Sequence, residues 1–252
     1  VNPDASRQLA VVIPAYNEAA TIVDIVRRAG RFTGHVIVVD DGSSDATAEV
    51  LAKLPALTVL RNPGNLGKGK SLLRGAGLAL EQGATVIVTL DGDGQHRPED
   101  ISLLLDKAAA NPDTIIIAAR VHNRHCAPPL RRFANRCADF WISWAAGYCI
   151  RDSQSGFRLY PAAVFQQCPT ASDNFVFESE ILIDAAQRGI RSKCVAIDTV
   201  YHPHTRNSHY RPASDTWAIV RMVAGKLINR GLYPLGLLRS LGIWPQARQS
   251  LM

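Results

Sequence analysis

Residues Val86-Ile87-Val88-Thr89-Leu90 form an almost wholly apolar run that ends abruptly at Asp91-Gly92-Asp93-Gly94-Gln95-His96. A short run without polar alternation describes a strand buried on both faces, as in a parallel sheet covered by helices. Ligands of such sheets gather outside the carboxyl ends of the strands, so the paired carboxylates stand where chemistry is expected. Gly92 lets the backbone turn tightly enough for Asp91 and Asp93 to converge. Two hard oxygen ligands in a D-x-D arrangement suit Mg²⁺ or Mn²⁺ holding a diphosphate, with Gln95 as a third oxygen donor. The same residues also read as a polar loop in which Asp93 or Asp100 caps a helix begun by Pro98.

The rest of the first half repeats this rhythm. Leu9 to Ile13 is an apolar run ended by Pro14-Ala15-Tyr16-Asn17-Glu18, and a helical pattern follows from Ala19 to Arg28. His35 to Val39 runs into Asp40-Asp41-Gly42-Ser43-Ser44-Asp45, where Ser44 or Asp45 caps a helix to about Leu54. Thr58 to Leu60 is a short strand, and the glycine-rich turn Gly64 to Lys70 leads into a helix through Leu80. That turn lacks the G-x-x-x-x-G-K-[ST] spacing of a nucleotide-triphosphate loop, so it reads as a tight turn with solvated lysines or with one lysine near a diphosphate. A helix from Pro98 to about Ala110 and a strand from Thr114 to Ala119 complete this half. Strand alternating with helix predicts an α/β, Rossmann-like, mostly parallel sheet with helices on both faces and right-handed crossovers. Tyr16/Glu18, Asp40/Asp41 and Asp91/Asp93 should then line one crevice.

Charge divides the chain. Residues 1–119 carry 11 Lys+Arg against 14 Asp+Glu, a balance of −3, whereas residues 120–252 carry 17 against 8, a balance of +9. The second half should face something anionic. No nucleic-acid motif is present, so a phosphorylated lipid or an anionic membrane surface is the partner class that fits. No apolar run reaches the roughly 18 residues of a membrane span, because Arg221, Lys226, Arg230 and Arg239 interrupt the C-terminal candidate. No signal-peptide pattern opens the sequence. The five cysteines form no C-x-x-C pair and read as free thiols of a reducing cytosol.

Beyond Arg120 the rhythm changes. His122, His125 and Cys126 cluster without a fourth ligand at zinc spacing. Leu130 to Tyr148 reads as one helix whose Phe133, Cys137, Phe140, Trp141 and Trp144 form an apolar face expected in the core. Asp152 to Arg158 is a polar loop. Asn174 begins a helix running to Gln187 with Glu178 and Glu180 in its first turn, and Val195 to Tyr201 is a last strand. The chain divides into a catalytic-type domain, 1–212, and a basic amphipathic helical tail, 213–252, with Trp217, Ile219, Val220, Val223, Leu227 and Ile228 at its apolar positions. The tail lies on an anionic leaflet, or packs on the domain or a partner.

Taken in order, Pro14 to Glu18, Asp40 to Ser43, Asp91 to His96, Asp152 to Arg158 and Phe177-Glu178-Ser179-Glu180 resemble the inverting glycosyltransferase family 2. Within it they resemble the dolichyl-phosphate mannosyltransferase-like branch, which moves a sugar onto a polyprenyl phosphate. The resemblance implies the glycosyltransferase A fold. It implies that Pro14, Tyr16, Glu18, Val39, Asp41, Asp91 and Arg120 bind a GDP- or UDP-linked sugar, and that Asp91, Asp93 and Gln95 hold Mg²⁺ or Mn²⁺ with the diphosphate. Arg131 or Arg132, with Ser155 and Arg158, would face the acceptor phosphate, an oxyanion that guanidinium forks suit. One departure stands out: the branch has an arginine followed shortly by Ser-Lys after its last strand, where this chain has Arg206-Asn207-Ser208-His209, the lysine being replaced or displaced, with Arg211 a candidate substitute.

The implied reaction is one in-line displacement at the anomeric carbon with inversion. Asp93, through the metal, and Arg206 would neutralise the departing nucleoside diphosphate. A phosphate acceptor is already anionic and requires no base. The alternative is a family 2 enzyme acting on a hydroxyl of a glycolipid or other cell-envelope molecule, for which Glu178 or Glu180 would be the base. A non-catalytic sugar-nucleotide sensor is a third reading, which the intact acid pair opposes. The expected setting is the cytoplasm, peripheral on the membrane's cytoplasmic face.

Overall fold

A computed structural model describes residues 8–55, 57–120, 129–168, 176–198 and 212–244. In chain order the elements are β1 (Leu9–Ala15), α1 (Ile22–Ala29), β2 (Val36–Asp40), α2 (Thr47–Ala52), β3 (Thr58–Arg61), α3 (Lys68–Glu81) and β4 (Val86–Thr89). A 3-10 turn at Pro98–Asp100 leads into α4 (Ile101–Ala109), followed by β5 (Ile115–Arg120), α5 (Pro129–Ala146), β6 (Arg158–Pro161), α6 (Ala162–Gln167) and α7 (Val176–Gln187). The series closes with β7 (Ser192–Ile197), α8 (Pro212–Ile228) and α9 (Pro234–Ser240).

The strands form one sheet in the order β3-β2-β1-β4-β6-β5-β7, parallel except for β6, which runs antiparallel to both its neighbours. The apolar runs supply the central strands because such strands must be apolar on both faces. Val12, Ile37 and Ile87 pack under α3, α5, α7 and α8, while Val11, Val38 and Val88 pack over α1, α2 and α4. Helix α3 lies so close that a methyl group on Gly75 would come within 2.5 Å of Val12 Cγ1. The helix after β2 takes Ala46 as its N-cap residue; Asp45 serves it from one position earlier, accepting the N–H and hydroxyl of Thr47.

Three expectations change. The last strand is Ser192–Ile197, beginning three residues before the expected Val195. Residues 158–167 give β6 and α6, although Arg158 reads as a polar loop residue and the strand is only 4 residues long. On α5 the residues turned inward are Ile142 and Ala145, whereas Phe133 is 67% exposed and Phe140 and Trp141 also face outward. Helical spacing marks an amphipathic face without saying which side a neighbour covers.

Helix α8 buries Ile219, Val223 and Leu227 and leaves Trp217, Val220 and Ile228 exposed. The buried stripe joins the core beneath α7. Helix α9 then folds back on α5: Trp144 Nε1 donates to the carbonyl of Leu232, and Gly236 accommodates the Tyr233 ring. Among the described residues no helix is long and apolar enough to cross a membrane. Cys137, Cys149, Cys168 and Cys194 are free thiols, and the His122/His125/Cys126 cluster lies outside the described residues.

Candidate active site

The carboxyl ends of β1, β2, β4 and β5 meet in one crevice because β1 and β4 are neighbours in register and the loops after them must cross the same sheet edge. On the β1 side, Tyr16, Asn17 and Glu18 are half-buried. Asn17, at a positive φ of 59°, accepts the backbone N–H groups of Ser44 and Asp45, while Glu18 N donates to Thr47 Oγ1. These bonds lock the β1 loop to the β2 loop. Pro14 lies in β1 beside Val39, whose side chain is fully buried and offers a ligand only backbone.

Asp41 is buried and accepts from Asn62 Nδ2 at 2.7 Å and from the backbone N–H groups of Leu66 and Gly67, both at 2.9 Å. The carboxylate therefore fixes the glycine-rich turn and, with it, the start of α3. The first residue of that helix is Lys68, whose ammonium reaches Asp91 Oδ1 at 2.6 Å and Glu178 Oε1 at 2.7 Å. Burial works against both charges of the Lys68–Asp91 pair. Even so, Asp91 and Glu178 hold Lys68 above the ordinary lysine range, and Lys68 holds Asp91 below the usual carboxylate range.

Asp93 behaves differently. Its Oδ1 accepts the N–H of Gln95 at 3.0 Å, and burial together with the neighbouring Asp91 charge pushes its pKa up to about 6. Gly92 is pinned beneath the pair by Thr21, whose hydroxyl donates to the Gly92 carbonyl at 2.6 Å. His96 packs against Phe157 with Nδ1 buried, and burial pushes the imidazole down to about 4, so it is neutral at pH 7.

Arg120, at the end of β5, donates through its backbone N–H, Nε and Nη2 to Asp152 at 2.7–3.0 Å. Asp152 has a positive φ of 53°, and its loop is held in turn by Asp139 of α5, which accepts from Asp152 N, Ser153 N and Ser153 Oγ. Arg120 thus brings to the crevice a guanidinium that is already braced and close enough for its charge to lower Asp91.

Ser155 and Arg158 sit inside the fold instead of facing an acceptor. Ser155 Oγ donates to the Ala118 carbonyl, and Arg158, 0% exposed, donates to the carbonyls of Ser155, Ser153 and Glu178 and to the Tyr160 hydroxyl. The reason is topological: Arg158 opens the antiparallel strand between β4 and β5, and a buried guanidinium must spend its donors locally. Glu180 is bound at 3.2 Å to Lys226 of α8, which also reaches Asp184. Arg132 is exposed on the first turn of α5; Arg131 shares that turn, its side chain outside the described residues, as are Arg206 and Arg211.

The acids fit a divalent cation. Among the described residues no three His, Cys, Asp or Glu side chains are grouped for a complete metal site. Burial and the neighbouring Asp91 charge both raise Asp93, however, and the Lys68 ammonium lies 2.6 Å from Asp91 Oδ1. Two carboxylates and an amide oxygen leave positions for diphosphate and water, as a hard cation with a phosphate ligand requires.

Sequence reasoning missed Asp152, Asp139, Gly156 and Lys226. Asp152 lay within a singled-out loop, yet its partner is 32 residues away in sequence. The only signal for Asp139 was a lone acid on an otherwise basic and apolar helix.

Comparison with known proteins gives the family and the fold. The profile of the family described as Glycosyl transferase family 2 matches residues 10–167. The polyprenol monophosphomannose synthase of Mycolicibacterium smegmatis is 30% identical over 71% of this chain and 72% of its own length. The UDP-N-acetylglucosamine–dolichyl-phosphate N-acetylglucosaminyltransferase of Methanococcus voltae is 27% identical over 78% of this chain and 87% of its own. Among solved structures, glucosyl-3-phosphoglycerate synthase from Mycobacterium tuberculosis, crystallised with Mn²⁺, UDP and phosphoglyceric acid, superposes with a TM-score of 0.66. That match has 22% identity and covers 90% of this chain and 79% of that one. At that identity the likeness shows the shared glycosyltransferase A fold.

Proposed function

The chain belongs to glycosyltransferase family 2, and on that premise we propose that it transfers a sugar, with inversion, from a GDP- or UDP-linked donor to a polyprenyl phosphate at the cytoplasmic face of a membrane. The observation that carries the acceptor class is the state of the two glutamates. Glu178 is ion-paired with Lys68 and Glu180 with Lys226, both largely buried, so neither is poised as a base for a hydroxyl. An anionic phosphate oxygen requires no base. The names of the mycobacterial and methanococcal relatives, one a polyprenol monophosphomannose synthase and the other a dolichyl-phosphate transferase, support the same acceptor.

In this reading Tyr16, Glu18 and Asp41 border the base and ribose, with Pro14 and Val39 contributing backbone. Asp91, Asp93 and Gln95 would hold Mg²⁺ or Mn²⁺, which when bound supplies Lewis-acid neutralisation of the diphosphate. Arg120, braced by Asp152, presents a fixed cation to the leaving group, a preorganised charge of the kind that lowers barriers without reorganisation. Arg206 adds a second cation there, and Arg131 or Arg132 steers the acceptor phosphate. Buried Ser155 and Arg158 position the loop from Asp152 to Gly156.

Catalytic work belongs to residues 1–212 and surface contact to 213–252, together with α5. Phe140, Trp141, Leu235, Leu238, Leu241 and Trp244 are exposed, and Arg132 and Arg136 share the helical spacing of Phe140. Aromatic and leucine side chains beside arginines suit the interface of an anionic bilayer, where a polyprenyl acceptor resides.

The test is to incubate the protein and Asp93→Asn with Mn²⁺ or Mg²⁺, GDP- and UDP-sugars and polyprenyl phosphate in anionic vesicles, following sugar into the organic phase. Lipid-linked sugar that requires Asp93, of anomeric configuration opposite to the donor's, is the expected result. Transfer only to hydroxyl acceptors would overturn it.

A further inference from the structure

Lys68 occupies a place that the metal reading reserves for a cation. Its side chain is 18% exposed and joins three segments distant in sequence: the start of α3, the end of β4 at Asp91 and the first turn of α7 at Glu178. The packing is tight. A methyl group on Gly156 would lie 2.5 Å from Lys68 Nζ, 2.7 Å from Glu178 Oε1 and 2.8 Å from Asp91 Oδ2, so backbone fills the fourth side of the cluster.

An ammonium 2.6 Å from Asp91 Oδ1 uses one lone pair of that oxygen and sets a positive charge against any divalent cation bound to the same carboxylate. Like charges at such range also repel strongly in a partly desolvated site. A nucleoside diphosphate changes the balance, because its two or three negative charges offer the ammonium another anion and the metal additional oxygens. We propose that Lys68 is a built-in counterion that occupies Asp91 in the donor-free protein and thereby makes loading of the divalent cation conditional on the nucleoside diphosphate. Metal and donor then arrive together, and the acid pair does not scavenge cations in between. The role is positional: Lys68 acts through Asp91. The proposal rests on the reading of Asp91 and Asp93 as metal ligands.

The experiment is a titration of nucleotide-free protein with Mn²⁺, free ion being read by electron paramagnetic resonance, for the wild type, Lys68→Met, Lys68→Arg and the pair Lys68→Met/Glu178→Gln. The pair removes both partners of the buried ion pair, which folds more readily than an orphaned glutamate, and it leaves the net charge unchanged. Lys68→Met and the pair should each bind Mn²⁺ at least tenfold more tightly than wild type, and Lys68→Arg should stay at the wild-type level. An affinity within threefold of wild type in both the single and the paired variant would overturn the role of Lys68. A tightening that persists when Asp93→Asn is added would overturn the metal reading along with it, since the ion would then lie elsewhere.

Discussion

Replacing Arg158 with lysine separates two roles that the same residue could play. The guanidinium is wholly buried and uses Nε, both positions of Nη1 and one of Nη2 to satisfy four acceptors spread over Ser153, Ser155, Tyr160 and Glu178. A lysine keeps the charge but carries its three donors on one atom, which can approach at most two of those fixed acceptors. Two buried oxygens would be left unpaired. At about 1–3 kcal/mol for each, Arg158→Lys should cost roughly 2–6 kcal/mol. Urea unfolding reads this as a midpoint lower by on the order of 1 M with an unchanged slope. Ser155→Ala, which orphans only the Ala118 carbonyl, should fall near 1 kcal/mol and calibrates the scale. If Arg158→Lys instead unfolds with the wild type while losing affinity for the lipid phosphate, the buried cradle is wrong and Arg158 reaches the acceptor.

Gly156→Ala should reduce turnover severely, because the added methyl enters the Lys68–Asp91–Glu178 cluster, and it should also lower stability by about 1–3 kcal/mol; wild-type kinetics would refute that contact. Asp41→Ala removes the acceptor for two donors of the glycine-rich turn and for Asn62 Nδ2, so amide exchange at Leu66 and Gly67 should accelerate and donor affinity should fall. The Arg28–Glu99 pair predicts an acid limb of stability. The hydrogen bonds from Arg28 depress Glu99 to about 2, so its contribution is complete above about pH 4.5 and is lost as the pH falls through about 2. Because the pair is about one-third exposed, solvent screening holds that contribution to about 0.5 kcal/mol, and Glu99→Gln should flatten the limb by that amount.

The order of strands and helices from β1 to β5, their parallel arrangement and the position of Asp91 and Asp93 at a strand's end were determined by the sequence itself. Apolar runs, turn residues and helical spacing act within a few residues, and burial on both faces of β1, β2, β4 and β5 follows from them. Five motifs in order also carried the family. The partners of the site's charged groups were decided only by the tertiary structure. Lys68 meets Asp91 and Glu178, and Arg120 meets Asp152, across intervals that no periodicity spans. Arg158 and the aromatic face of α5 show the same limit from the side of burial. Arginine reads as exposed and phenylalanine as buried until the fold places a strand over one and leaves the other uncovered. Pattern reports what a residue can tolerate; which neighbour satisfies its charge, donors or apolar surface depends on which elements the sheet order brings together.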